Sequence, residues 1–300
     1  MSCDKIPYVV VFIPAFNEEG SIESVIRKIQ THYVANSAAR GYRTEIIVVD
    51  DGSSDRTREI SRAAGVETVV SHIKNRGLGA STRTAMQRAF EMGADVAVKI
   101  DADFQHDPDD IDKVVRPILD DVADSVFGTR FLGGLQYAMP LTRAVGNRFF
   151  SWLVSKLTGL NVTDGQTGLM AFGRRYLAQF NIIADYNETQ QLILDSYRKN
   201  MRIIEVPVVF HKRTTGKSFI SWRYPFKVLP TILRHYVRIT PFTIFMPAGM
   251  LFILFSMLVA VARIRSGLCC FADPSFAVWF VGGVVIMFMG LLADMVKNCR

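Results

Sequence analysis

The sequence predicts a mostly parallel α/β domain followed by two membrane-spanning helices. Three observations predict it. Apolar β-branched runs alternate with helical patterns through about residue 220; polar, acidic clusters follow three of those runs; and two long uncharged segments occupy the C-terminal end. Continuous Val/Ile runs separated by helices mark parallel strands buried on both faces.

The elements follow in order. Tyr8–Ile13 reads as a strand and Gly20–Ala39 as a helix; Glu45–Val49 as a strand and Asp55–Ala64 as a helix. Glu67–Ser71, Val96–Ile100 and Ser125–Gly128 read as further strands, with helices over Leu78–Met92 and Pro108–Asp121. In such a sheet ligands sit at the carboxyl ends of the strands. Asn17-Glu18-Glu19, Asp50-Asp51-Gly52-Ser53 and Asp101-Ala102-Asp103 fall there.

Ile239 to Ala262 and Pro274 to Ala293 carry no charged residue. As helices rising ~1.5 Å per residue, each crosses ~30 Å of hydrocarbon. Arg263 to Ser275 suits the loop of a hairpin. Arg223, Lys227, Arg234, Arg238, Lys297 and Arg300 flank the outer ends, against Arg263 and Arg265 in the loop, which places the N-terminal domain on the cytoplasmic face. Between domain and hairpin, Trp222, Tyr224, Phe226, Leu229, Ile232, Leu233 and Tyr236 alternate with cations, as in a segment lying on a bilayer, with Pro225 and Pro230 breaking it. The expected division is 1–220, 221–240 and 241–300, with spans at about 241–262 and 274–293. No apolar leader precedes residue 11.

Composition excludes several classes. The 300 residues are 49% hydrophobic and 21% charged, without repeats, so the chain is neither disordered nor collagen-like nor a coiled coil. Four cysteines (Cys3, Cys269, Cys270, Cys299) without CxxC spacing give neither a disulfide framework nor a zinc site. Lys+Arg exceed Asp+Glu by 35 − 28 = 7. Two spans and acidic strand ends assign that excess to a membrane surface or a phosphorylated substrate rather than to nucleic acid. GxGxxG and GxxxxGK[ST] are absent, so the usual dinucleotide and P-loop sites are not supported.

Asp101 and Asp103 follow the strand VAVKI. Carboxylates one residue apart converge on one divalent cation once the chain leaves the pleat, and Gln105 adds a neutral oxygen. Hard oxygens favour Mg²⁺ or Mn²⁺ shared with phosphates. The alternative is a solvated acidic turn, with Asp107 or Asp109 capping the next helix. Asp50 or Asp51 offers a carboxylate to a base or ribose, while Ser54 or Asp55 suits the helix cap. Asn75-Arg76-Gly77-Leu78-Gly79 is a turn open to close approach of a ligand.

PAFNEEGSI, VVDDGSSDRT, NRGLGAS and DADFQHDP, in this order and spacing, resemble the family 2 glycosyltransferases of GT-A fold. FGTRF, DGQTGLMAF and EVPVVFHKRTTGKS, followed by two spans, resemble the polyprenyl-phosphate (dolichyl-phosphate-type) sugar synthases. The likeness covers about Val9 to Ser221. It implies that Pro14, Asn17, Glu19 and Asp51 line the nucleotide pocket. It implies that Asp101, Asp103 and Gln105 hold the metal and donor diphosphate. Arg130 and Arg143, with Asn147 near, match basic positions beside the lipid phosphate; Lys212, Arg213 and Lys217 match the donor-phosphate lid. Leu78, Phe219 and Leu169 depart from the pattern, which bears on the sugar more than on the chemistry.

The resemblance implies an inverting enzyme that moves glucose or mannose from a nucleoside diphosphate to a polyprenyl phosphate. The acceptor oxygen is already anionic, so no general base is required. Glu188 is the residue that supplies a base if the acceptor is instead a hydroxyl; its other reading is a helix-start carboxylate. A catalytically silent membrane scaffold is a third reading, against which the intact Asp101/Asp103/Gln105 set argues. His106 has no partner at ligand spacing, and His211 suits packing or phosphate contact. Gly282-Gly283 offers a close helix contact for a homo-oligomer.

Overall fold

Strand β1 (Tyr8–Ala15) is buried at every position, as an unbroken apolar run requires in the middle of a doubly covered sheet. In the computed structural model, which describes residues 6–133, 141–185, 188–211, 237, 241–265 and 274–298, it pairs in parallel with β2 (Arg43–Asp50) and with β4 (Val96–Lys99). β3 (Thr68–Ser71) adds to β2. On the far side β6 (Met170–Gly173) runs antiparallel between β4 and β5 (Ser125–Thr129), and β7 (Ile203–Pro207) pairs in parallel with β5. The seven-stranded order is β3-β2-β1-β4-β6-β5-β7. β2 and β4 flank β1 on opposite sides, so the crevice beyond their carboxyl ends is a topological switch point, where open α/β sheets bind ligands.

Helices cover both faces. α1 (Ile22–His32) buries Ile22, Val25, Ile26 and Ile29 on one stripe. The helix expected to reach Ala39 stops at His32 and continues as two 3₁₀ turns. There the Ser37 hydroxyl donates to Val34 O at 2.7 Å, and Gly41 ends the run at φ +85°. α2 (Thr57–Ala63) and α3 (Leu78–Glu91) follow β2 and β3. Pro108–Asp110 is a 3₁₀ turn capped by Asp107, whose side chain accepts from Asp109 N, and α4 (Ile111–Leu119) begins after it. α5 (Arg130–Gly133), α6 (Leu141–Thr158), α7 (Arg174–Leu177) and α8 (Glu188–Arg198) complete this unit. β6 is too short to carry a periodic signal, and only its neighbours make it a strand.

The chain forms two compact units, Met1–Val228 and Leu229–Arg300. In the second, the helices Pro241–Arg265 and Pro274–Asn298 contain Ile244–Arg265 and Pro274–Val296, each long and apolar enough to cross a membrane. Arg263 and Arg265, expected in the loop, lie in the last turn of the first helix; no helix breaker occurs before Gly267. Gly249 and Gly283 face each other: a β-carbon on either would come within 2.7 Å of the other's carbonyl oxygen. Ser256 Oγ donates to Phe276 O at 3.0 Å, and Trp279 meets Phe252 and Phe255 edge-on or tilted. Gly283 is therefore used within the chain rather than left for a second copy. The expected interfacial segment 221–240 lies outside the described residues, except residue 237.

Candidate active site

The switch point gathers three turns. The turn after β1 is tied to the turn after β2. Asn17, at φ 53°, donates its backbone N–H to Ser53 Oγ and accepts at Oδ1 from Ser54 N, both at 2.9 Å. Glu19 accepts from Arg56 N at 3.2 Å, and Asp55 caps α2 through Thr57 N at 3.0 Å. Burial raises the Asp55 carboxyl pKa, but the Thr57 and backbone bonds outweigh it and hold the group below its ordinary value. Pro14 is buried in β1, opposite Val49.

Asp51 is the hub of the third turn. Its carboxylate accepts from Arg76 N at 3.0 Å and Gly77 N at 2.7 Å, and lies 2.6 Å from His72 Nδ1. Like Asn17 and Glu19, Asp51 has its side-chain oxygens engaged within the chain, and here both carboxylate oxygens are used. Gly52, at φ +72°, lies so close to the Lys74 backbone that any side chain would collide with it.

β6 decides the second half of the site. Met170 pairs with Lys99 and Phe127 pairs with Met170, so the start of β6 meets the ends of β4 and β5. Gly168 therefore lies against Asp101: a β-carbon there would overlap Asp101 Oδ2 and sit 2.7 Å from His106 Nε2. Asp103 accepts from Gln105 N at 3.1 Å, and Gln105 Nε2 donates to His211 O at 3.3 Å. His106 is buried, packs edge-on to Phe210, and is pushed down to about 4 by burial, so it is neutral near pH 7.

Arg130 is buried too. Its Nε donates to Asp164 Oδ2 at 2.6 Å, its Nη2 to Gln166 O, and its guanidinium lies 4.1 Å from the centre of the Phe210 ring. Asn147 Nδ2 donates to Asp164 Oδ1 at 3.0 Å, and Glu205 accepts from the backbone of Thr163 and Asp164. Arg130 thus braces the DGQTG turn. Arg143 lies in α6, but its side chain, like Lys212, Arg213 and Lys217, is outside the described residues.

Lys99, the last residue of β4, has an inaccessible side chain. Its Nζ lies 2.7 Å from Asp101 Oδ1 and 3.2 Å from Glu188 Oε1, at the start of α8. Burial opposes its charge, but the two carboxylates outweigh burial and raise the ammonium pKa above its ordinary value. A lysine within the apolar run VAVKI was the available signal for this residue. Asp164 and Glu205 had only motif context.

For a divalent cation the donor set fits in its chemistry: Asp101 and Asp103 offer hard oxygens, and the missing side chain at Gly168 is what lets the Asp101 carboxylate sit where it does. Among the described residues no group of three or more His, Cys, Asp or Glu side chains could hold a metal. For a bound cation the remaining ligands would therefore have to come from a diphosphate and water, as is usual for Mg²⁺.

A seven-stranded, mostly parallel sheet with a DxD turn at its switch point defines a glycosyltransferase domain of GT-A type. The chain belongs to glycosyl transferase family 2, whose model matches residues 10–178. It is 35% identical over 225 residues to the UDP-N-acetylglucosamine–dolichyl-phosphate N-acetylglucosaminyltransferase of Methanococcus voltae, covering 68% of this chain and 85% of that one. It is 27% identical to the undecaprenyl-phosphate mannosyltransferase of Micrococcus luteus, covering 71% of this chain and 87% of that one. In fold it resembles glucosyl-3-phosphoglycerate synthase from Mycobacterium tuberculosis, solved with Mn²⁺ and UDP-glucose. There the TM-score is 0.59, the identity 22%, and the coverage 76% of this chain and 79% of that one.

Proposed function

We propose that the chain transfers a hexosyl group from a nucleoside-diphosphate sugar to the phosphate of a polyprenyl lipid of the dolichyl type. The observation that carries this reading is the engagement of Glu188 by buried Lys99. The carboxylate that would serve as base toward a hydroxyl acceptor is held in an ion pair, and an acceptor phosphate needs none because its oxygen is ionised near neutral pH. The acceptors in the relatives' names support the same choice.

In this reading Asp101, Asp103 and Gln105 hold a Mg²⁺ or Mn²⁺ ion together with the donor diphosphate. When bound, that ion offsets charge developing on the leaving group. Pro14, Asn17 and Glu19 line the nucleotide pocket, and Asp51 shapes it through the Arg76-Gly77 turn. By the family resemblance, Arg213 and Lys217 bind the donor phosphates. Arg143 and Arg130 orient the acceptor phosphate. An acceptor oxygen forms a bond to the anomeric carbon as the bond from that carbon to the diphosphate oxygen breaks. The bonding pair leaves with the diphosphate, and in-line attack turns an α-linked donor into a β-linked product.

The hairpin anchors the domain where a lipid carrier can reach it, since withdrawing the carrier costs about 0.8 kcal/mol per CH₂. The flanking cations favour the cytoplasmic face. Glucose and mannose are the proposed sugars, and the Methanococcus voltae relative adds N-acetylglucosamine.

The test is incubation of the full chain in detergent with a short polyprenyl phosphate, Mg²⁺ or Mn²⁺, and labelled UDP-glucose, GDP-mannose or UDP-N-acetylglucosamine. Label from one donor should enter the organic phase and be lost with EDTA or Asp103→Ala. Donor turnover that appears only when a saccharide or glycolipid hydroxyl is supplied would replace this reading with a hydroxyl acceptor.

A further inference from the structure

We propose that Lys99 is a positioning residue with two tasks: it fixes Asp101 for cation and donor binding, and it withholds Glu188 from base catalysis, restricting the enzyme to acceptors that arrive ionised. The inference rests on the donor-site reading above, and it names a residue outside the DxD motif.

The argument begins with cost. Removing a lysine from water is expensive, and an apolar side chain at such a position is often as stable or more so. Every other residue of β4 is apolar and buried. Lys99 ends that strand with its side chain 1% exposed, yet it meets two carboxylates, Asp101 two residues on and Glu188 from a distant part of the chain. One ammonium facing two carboxylates leaves a net negative charge beside the DxD turn, which complements a divalent cation.

Geometry assigns the two tasks. Lys99 takes Asp101 at Oδ1, while Oδ2 packs against the bare α-carbon of Gly168. The carboxylate is thus oriented by two neighbours while 30% of its side chain stays accessible, the arrangement by which partners behind a metal ligand orient it. Glu188 is 7% exposed on its side chain, and Oε1 faces Lys99. With Oε1 turned to Lys99, that oxygen is not presented to an acceptor hydroxyl.

The test is Mn²⁺ binding to the full chain in detergent with UDP or GDP, followed by electron paramagnetic resonance, with the thermal midpoint measured in parallel. In Lys99→Met/Glu188→Met no carboxylate is orphaned in the interior, so folding is retained. The Mn²⁺ dissociation constant should rise about 10- to 100-fold, and donor KM should rise more than kcat falls. Lys99→Arg should recover most of the affinity. A folded double variant with wild-type Mn²⁺ affinity would reduce Lys99 to a structural ion pair and overturn the proposal. If the double variant does not fold, Glu188→Gln decides, since it keeps the Lys99–Asp101 contact. Its Mn²⁺ affinity and the pH profile of lipid-phosphate transfer should stay at wild type. A rate loss of about 10²–10⁴ with a lost acidic limb would make Glu188 the base and overturn the second task. The Mn²⁺ measurement needs no acceptor, so an error in the acceptor class leaves it interpretable.

Discussion

Gly168 presents a bare α-carbon to the Asp101 carboxylate, close enough that a β-carbon would overlap Oδ2. The contact exists because antiparallel β6 brings the DGQTG turn to the end of β4. Gly168→Ala should fold but displace Asp101, and a displacement of order 1 Å costs about 10²-fold in rate. Circular dichroism should match wild type while sugar transfer falls by that factor. Wild-type turnover would mean that Asp101 tolerates the shift.

Asp101 and Asp103 differ in their surroundings. Asp101 answers to Lys99, whereas Asp103 accepts from the Gln105 backbone. Asp101→Asn and Asp103→Asn should each lower transfer by at least about 10²-fold, as losing a group that stabilises a developing anion does. Asp101→Asn should also lower the thermal midpoint, since Lys99 keeps only Glu188. Equal midpoints for the two variants would contradict that difference.

Asp51 acts through the chain it holds. Asp51→Ala leaves Arg76 N and Gly77 N without their acceptor, at a cost of about 1–3 kcal/mol per buried unpaired group. Stability should fall accordingly, and donor KM should rise with little change in kcat. A purely kcat effect would place Asp51 in the chemical step.

Asp124 governs acid stability at the opposite end of the sheet. Burial raises its carboxyl pKa, but hydrogen bonds and charge from Arg202 outweigh burial and hold it below the ordinary 3.8. The folded state therefore binds this proton less tightly than the unfolded state. The contribution is complete above pH 3.8 or so and is lost as pH falls through the lower folded value. The gap in thermal midpoint between wild type and Asp124→Asn should be constant from pH 6 to 8 and shrink below about pH 4. An unchanged gap at pH 2 would rule the carboxylate out as its source.

Much of the fold was legible because its signals are local. β1 is apolar throughout, and α1 carries its apolar stripe at helical spacing, so strand and helix are fixed by the residues themselves. A cap ahead of each of these two helices was readable, because a short side-chain oxygen there has few other uses, but the choice of Asp107 over Asp109 and of Asp55 over Ser54 was made by the fold. The end of α1 was not, because 3₁₀ turns and helix share the same residues until Ser37 and Gly41 intervene.

The sequence by itself determined a parallel α/β domain, two apolar helices and the acidic turns at the strand ends, since each depends on periodicity or spacing along one stretch of chain. Only the tertiary structure decided what those turns touch. Asp51 proved to be occupied by backbone N–H groups, Arg130 to brace Asp164, and Lys99 to join Asp101 to Glu188. Lys99 and Glu188 are 89 residues apart in the chain. Such a pairing leaves no periodic trace: it arises when β6 inserts antiparallel between β4 and β5 and α8 starts above the same strand ends, and the burial of one charge then dictates where its partners must be.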